Sequence, residues 1–255
     1  MTDLAHLADI VDEAARTAQA IPQLTLAAPL TVEEAYAVQA LAVARRCARG
    51  ERLAGLKMGL TSRAKMAQVN VHDVIWGRLT DAMRVEEGGT IAIDRYVHPR
   101  VEPELAVLLR APLAGRVSPA EAAAAVDGFA PAMEIIDSRY RDFKFALADV
   151  IADNSSSSGF VVGSWHRPDT DISNLGMVLE VDGRPAQVGS SAAILGHPLR
   201  SLVAAARLAG EAGLRLEAGW IVLLGAATAA VPLARGMHVR STVATLGSVA
   251  FSVGG

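Results

Sequence analysis

A single cysteine, Cys47, in 255 residues leaves no internal disulfide to be formed. No disulfide framework is expected, and a reducing, cytoplasmic setting fits. Aromatic residues make up only 4% of the chain, too few for a binder that stacks bases on aromatic platforms. Charge of one sign is not in excess either. A formal net charge of −3 gives no electrostatic case for nucleic acid or an anionic membrane surface. No uncharged apolar run reaches the ~18 residues of a membrane span. Met1-Thr2-Asp3-Leu4 does not open a basic and then apolar signal segment. What the chain does have is apolar bulk: 51% hydrophobic residues, at a length that buries a large core.

The most informative stretch is Val101-Glu102-Pro103-Glu104-Leu105-Ala106-Val107-Leu108-Leu109. In an extended strand, residues two apart point to the same face. Glu102 and Glu104 therefore project side by side, and like charges so placed repel unless a cation lies between them. Hard oxygen donors suit Mg²⁺ or Mn²⁺. A strand edge with two solvated glutamates is the alternative from spacing alone. A third carboxylate, Glu134, lies inside the otherwise apolar run Pro131 to Ile136. Buried without a partner it is costly; a metal or an arginine would relieve that cost.

Around these acids the chain reads in order. Residues 4 to 20 carry apolar positions at helical spacing, with Pro22 marking the end. Thr31-Val32-Glu33-Glu34 has the form of a capping box and starts a second helix running to about Gly50. Residues 1–50 thus form a helical segment ahead of a core over 51–255. Lys57 sits between apolar neighbours and glycines, as in a strand entering a tight loop: either a snorkelling surface lysine or a cation facing a cleft. A short helix is expected over Arg63 to Val69, and Asp81 is either a turn residue or an acid–base group. Glu86-Glu87-Gly88-Gly89 reads as a hairpin turn, and Ser118-Pro119-Ala120-Glu121 opens a helix reaching near Gly128. Ser155 to Ser158, flanked by apolar residues, reads as an ordered loop rich in hydroxyls. Asp182-Gly183 is a hairpin signal. His197 precedes Pro198 and the helix 199–212, and capping that helix is its structural reading. After the buried strand Trp220 to Gly225 comes a small-residue turn where backbone can approach a ligand. Residues 239–243 and 248–253 read as closing strands.

Taken together, Lys57-Met58-Gly59-Leu60-Thr61-Ser62, Val101-Glu102-Pro103-Glu104, Glu134-Ile135-Ile136-Asp137-Ser138-Arg139, Ile151-Ala152-Asp153-Asn154-Ser155-Ser156 and Gly225-Ala226-Ala227-Thr228 occur in one order. That ordered set resembles the 2-keto-4-pentenoate hydratase / 4-oxalocrotonate decarboxylase family, within the fumarylacetoacetate hydrolase-like superfamily, from about residue 30 onward. The resemblance implies an α+β fold: a mixed β-roll with flanking helices and an N-terminal helical segment. It implies Mg²⁺ or Mn²⁺ on Glu102, Glu104 and Glu134. It implies catalytic roles for Lys57, Asp81 and Ser158, and substrate contacts from Leu60, Arg78 and Thr228. Gly196-His197-Pro198 and the stretch Val74 to Asp81 are closer to the decarboxylases of the family than to its hydratases.

The chemistry expected is loss of the distal carboxylate of a 2-oxo-3-enedioate (2-oxohex-3-enedioate, 4-oxalocrotonate), giving 2-hydroxypenta-2,4-dienoate in meta-cleavage breakdown of aromatic compounds. Hydration of that dienoate is the alternative reaction. From charge alone, Arg78 or Arg100 is a candidate to orient the distal carboxylate. Acylpyruvate hydrolysis ranks lower, because it needs a His–Glu dyad and His6 and His72 stand alone. A non-catalytic scaffold subunit ranks below an enzyme, since the acidic triplet, Lys57 and Asp81 are all present. The small-molecule substrate would be a 2-oxo acid. A homo-oligomer, and a complex with the sister hydratase or decarboxylase, are the expected assemblies.

Overall fold

The computed structural model describes residues 3–62 and 73–255. The helix expected over 63–69 lies outside the described residues. Helix α1 (Leu4–Thr17) starts on the Asp3 cap and stops where Ala18 turns left-handed at φ 52°, ahead of Pro22. Helix α2 (Val32–Ala48) opens on the expected capping box: the Thr31 hydroxyl accepts from the Glu34 amide and the Glu34 carboxylate from the Thr31 amide. Alanine and valine on both helices bury Ala8, Val11, Ala35, Val38 and Ala42 together. No described helix is long and apolar enough to cross a membrane.

Two sheets follow. The first combines β1 (Leu53–Gly59), β2 (Ile75–Thr80), β3 (Arg84–Val85), β5 (Arg100–Leu109), β6 (Val126–Ile136), β7 (Ser157–Val162), β10 (Ile221–Leu223) and β11 (Val231–Pro232). The second combines β4 (Thr90–Ala92), β8 (Gly176–Val181), β9 (Arg184–Ser190), β12 (His238–Val243) and β13 (Gly247–Gly254). Both contain parallel and antiparallel pairs: β1 runs parallel to β10 and antiparallel to β2. Three further helices flank them: α3 (Pro119–Ala124), α4 (Leu147–Ala152) and α5 (Pro198–Glu211). This mixed arrangement of sheets and flanking helices is the α+β fold the motifs imply.

Three expectations change. The turn at 86–89 forms, with the Gly89 amide donating to the Glu86 carbonyl. It does not make a hairpin: β3 pairs parallel with β7 in the first sheet and β4 parallel with β13 in the second. Helix α3 ends at Ala124 rather than near Gly128, because the apolar run from Val126 pairs along the whole of β5. The strand 220–225 shortens to β10, and Leu224 and Ala227 instead donate their amides to the Leu105 and Pro103 carbonyls. Two local readings hold. Asp182-Gly183 joins β8 to β9. His197 caps α5, its Nδ1 accepting from the Leu199 amide at 3.2 Å.

Strand β5 is the keel of the site. It turns Val101, Leu105, Val107 and Leu109 to the cores shared with α5 and with the second sheet. By alternation it turns Glu102, Glu104, Ala106 and Leu108 to the other face. Pro103 sits in its middle, where a proline usually breaks a ladder. Here its carbonyl faces the loop that follows β10 and accepts from Ala227 at 3.0 Å. The side that lacks an N–H is therefore the loop side, and pairing with Met133 of β6 is unaffected.

Candidate metal centre and active-site cleft

Glu102 of β5 lies directly opposite Glu134 of β6 in the antiparallel register, and Glu104 is two residues along the same face. One oxygen from each carboxylate lies within 4.8 Å of the others. Glu104 and Glu134 are fully buried. Lys57 joins them from β1, its Nζ 3.1 Å from Glu134 Oε2. The lysine is buried as well, so it is a cleft cation and not a snorkelling one. The loop after β10 closes the group: the Gly225 amide donates to Glu104 Oε2 at 2.8 Å. Glycine is required there. Its φ is +108°, and a Cβ would stand 2.2 Å from Thr61 Oγ1.

The electrostatics are those of a cation site. Burial first, and then the charges of Glu134 and Glu102, hold the Glu104 carboxyl well above the ordinary carboxylate range. Burial also raises Glu134, with Lys57 pulling against it. Three ionised carboxylates and one ammonium leave two negative charges, which a divalent cation neutralises. The remaining buried oxygens, Glu104 Oε1 and Glu134 Oε1, have no hydrogen-bond partner among the described residues. Buried carboxylate oxygens without donors are the hard ligands that Mg²⁺ or Mn²⁺ takes, so the donor set fits the cation that the motifs imply.

The cleft in front of these groups has a volume of about 150 Å³. Lys57, Glu102, Leu60, Ser155, Ser156 and Phe143 are among its walls. Leu60 holds its place with a left-handed φ of 56°. Asn154, Ser155 and Ser156 are all left-handed too. They are pinned from behind: the Asn154 side chain accepts from the Arg78 amide and donates to its carbonyl, and Ser155 Oγ donates to the Trp76 carbonyl at 2.7 Å.

Lys57, Leu60 and the three glutamates thus come together, while four other candidates lie elsewhere. Ser158 is the extra residue of a β-bulge, since Ile135 faces Gly159 and Ile136 faces Ser157. That bulge aims its hydroxyl at Arg139, which is also ion-paired to Asp153. Ser155 and Ser156 take the cleft positions instead. Arg78 pairs with Leu56, one residue out of phase with Lys57 and Gly77, so it faces the opposite side of the sheet. Its guanidinium donates to Gln39 Oε1 and lies 4.6 Å over the Trp76 ring. Asp81 is exposed at the far end of β2, its Oδ1 accepting from the Arg52 and Ala82 amides at 2.9 Å: the turn-residue reading. Thr228 lies two residues past the cleft-lining Ala226, its Oγ1 donating to the Ala229 carbonyl. The sequence reading missed Phe143 and Phe145, which line the cleft from a loop without periodicity. It also missed the Gly225 amide, although the small-residue turn gave a hint of it.

The chain is similar to known proteins along most of its length. The family model described as fumarylacetoacetate (FAA) hydrolase C-terminal matches residues 49–254. A 4-oxalocrotonate decarboxylase of Pseudomonas sp is 62% identical over 252 residues, covering 99% of this chain and 98% of the relative. The structure of 4-oxalocrotonate decarboxylase from Pseudomonas putida G7, complexed with magnesium and adipate, superposes with a TM-score of 0.96 at 39% identity, over 99% of this chain and 98% of that one. A 2-hydroxyhexa-2,4-dienoate hydratase of Comamonas testosteroni is 34% identical, over 92% of each chain. The chain belongs to the fumarylacetoacetate hydrolase family, in the group of decarboxylases and hydratases that its motifs resemble.

Proposed function

We propose that this protein is a metal-dependent 4-oxalocrotonate decarboxylase, converting 2-oxohex-3-enedioate to 2-hydroxypenta-2,4-dienoate and CO₂. The observation that carries the reading is the triplet of Glu102 with the buried Glu104 and Glu134, Lys57 beside it, in a chain 62% identical to a decarboxylase of that name and 34% and 39% identical to two hydratases. The adipate in the related structure has the same number of carbons and the same two carboxylates as the substrate.

In this reading the C1 carboxylate and C2 oxygen of the substrate face the acidic triplet. The C5–C6 bond breaks, and its electron pair passes through the C3–C4 double bond onto the C2 oxygen. The distal carboxylate leaves as CO₂, and the dienolate takes one proton on oxygen to become the dienol. A divalent cation held by Glu102, Glu104 and Glu134 supplies Lewis-acid stabilisation of the charge on that oxygen. Lys57 places an ammonium at the same end of the cleft, as electrostatic support and as the proton source for the C2 oxygen. The Ser156 hydroxyl, on the cleft wall, helps orient the substrate, and Leu60 with the phenylalanines keeps water from the developing dienolate. Asp81 has no part in these steps. The apolar surface left by Leu26, Val32 and Leu41 on the N-terminal segment supports a homo-oligomer, or a complex with the sister hydratase, built on that face; light scattering tests it.

Turnover tests the reaction. Purified protein with Mg²⁺ should release CO₂ from 2-oxohex-3-enedioate and leave 2-hydroxypenta-2,4-dienoate unhydrated. Consumption of the dienoate without CO₂ would make it a hydratase. Glu102→Gln should lose at least about a hundredfold in kcat with an unchanged fold by circular dichroism. Full activity in that variant would remove the metal centre from the mechanism.

A further inference from the structure

The alternation that brings Glu102 and Glu104 to one face of β5 brings Arg100 to it as well. Arg100 is two residues from Glu102, a separation of about 6.6 Å along the strand. It pairs with Ile136 on β6, itself a residue of the cleft wall. Its guanidinium carbon lies 3.9 Å from the centre of the Phe143 ring, a cation–π stack. Phe143 lines the cleft and leans on Phe145, ring centres 5.3 Å apart. Two consecutive left-handed residues, Asp142 at φ 59° and Phe143 at φ 56°, bring that ring inward. Such a backbone is strained for a phenylalanine, and strain of this kind is retained where position matters.

Among the described residues, the cations on these strands differ in their partners. Lys57 is matched by Glu134, and Arg78 lies on the other face of the sheet. Arg100 is half-buried and has no carboxylate partner among the described residues. We infer that Arg100 is the specificity residue that receives the distal carboxylate of a dicarboxylate substrate, with Phe143 holding its guanidinium at the rim of the cleft. This inference rests on the decarboxylase reading of the same site.

A kinetic signature follows from the chemistry. The distal carboxylate is charged in the bound substrate and leaves as neutral CO₂. An ion pair to it therefore stabilises the bound substrate at least as much as the transition state. Removing the guanidinium raises KM and leaves kcat level or higher, a split that general damage to the site does not produce.

The test uses the Mg²⁺-loaded protein and two six-carbon probes, adipate with two carboxylates and hexanoate with one. By calorimetry the wild type should bind adipate more tightly than hexanoate. Arg100→Gln should weaken adipate by about tenfold to a hundredfold, the range of one charge-assisted hydrogen bond, and move hexanoate by less than about twofold. Arg100→Lys, which keeps the charge and loses the stacked plane, should fall between. KM for 2-oxohex-3-enedioate should rise in step with the adipate loss while kcat does not fall. Unchanged thermal midpoints for both variants establish that they fold. Unaltered adipate binding in Arg100→Gln, or equal weakening of both probes, overturns the inference. A wild type that releases no CO₂ overturns the decarboxylase reading instead, and the adipate-to-hexanoate ratio still decides the role of Arg100.

Discussion

Glu134 and Lys57 show how one residue pair serves both folding and chemistry. Each sits mid-strand in an apolar setting, and neither would be tolerable alone: a buried charge without a counter-charge costs several kcal/mol. They meet across 77 residues of sequence at 3.1 Å. Lys57→Met deletes the ammonium and leaves a carboxylate that already resists ionisation through burial. In the presence of a chelator this variant should lose about 3–5 kcal/mol of stability, the usual penalty for breaking a buried pair from one side. Mg²⁺ should recover part of that loss, because a cation on Glu134 replaces the missing charge. Turnover should stay low with Mg²⁺ present, since the proton source is gone. Urea denaturation with and without Mg²⁺ measures the first two effects. A loss below about 1 kcal/mol would mean that the pair behaves like an exposed salt bridge and does not hold the strands.

At the level of elements, the serine loop depends on what lies behind it. Gln39 of α2 donates its side-chain amide to the Trp76 and Ile151 carbonyls and accepts from Arg78. One fully buried glutamine thus ties α2 to β2 and to the end of α4, just before Asn154. Gln39→Leu keeps the volume but takes the acceptor from the Arg78 guanidinium and the side-chain donor from the Ile151 carbonyl, while the Trp76 carbonyl keeps Ser155 Oγ. Unmet buried polar groups cost about 1–3 kcal/mol each, so this variant should lose more than about 2 kcal/mol in denaturant melts, and kcat should fall as Ser155 and Ser156 shift. Gln39→Glu, which restores an acceptor and adds a charge for Arg78, should be milder. Equal losses in the two variants would show that the acceptor to Arg78 is unimportant. The same loop shows where sequence patterns carry and where they fail. Period-two alternation brought Glu102 and Glu104 to one face because β5 is a regular strand, and Glu134 stood out as a lone acid in the apolar run of β6. Ser158 came from the family resemblance, and no pattern warned of the bulge that inserts it or of the left-handed backbone through 154–156. Arg78 was misplaced for a simpler reason: charge was weighed without the strand phase that sets it opposite Lys57. Thr31-x-x-Glu34 and His197-Pro198 were legible because caps are local. The separation of β3 from β4 was not, since the partners that divide them, β7 and β13, lie far away in sequence.

On the scale of the whole molecule, the candidate metal site is a product of folding. Its ligands come from two strands, its lysine from a third and its backbone donor from the loop after β10, so the unfolded chain has no such site and cation binding adds directly to global stability. Protons compete for the same oxygens. Glu104 and Glu134 have folded-state pKa values raised above 4.5, chiefly by burial. With no cation bound, the folded chain therefore holds protons that the unfolded chain has already released. Carboxyls of this kind stabilise the fold below about pH 4.5, and that contribution is lost as pH rises through their folded-state values. The metal-free protein should thus lose stability from these groups on going from about pH 5 to about pH 8, whereas the same rise ionises the ligands and strengthens cation binding. The gain in thermal midpoint on adding Mg²⁺ should be larger at the higher pH, and apparent Mg²⁺ affinity should fall as the pH is lowered. Paired melts in chelator and in Mg²⁺ at the two values, together with Glu104→Gln as the variant without that titrating group, measure this directly. A Mg²⁺-induced gain independent of pH would mean that the cation stabilises the protein elsewhere, because no site built from Glu104 and Glu134 can bind it without displacing their protons.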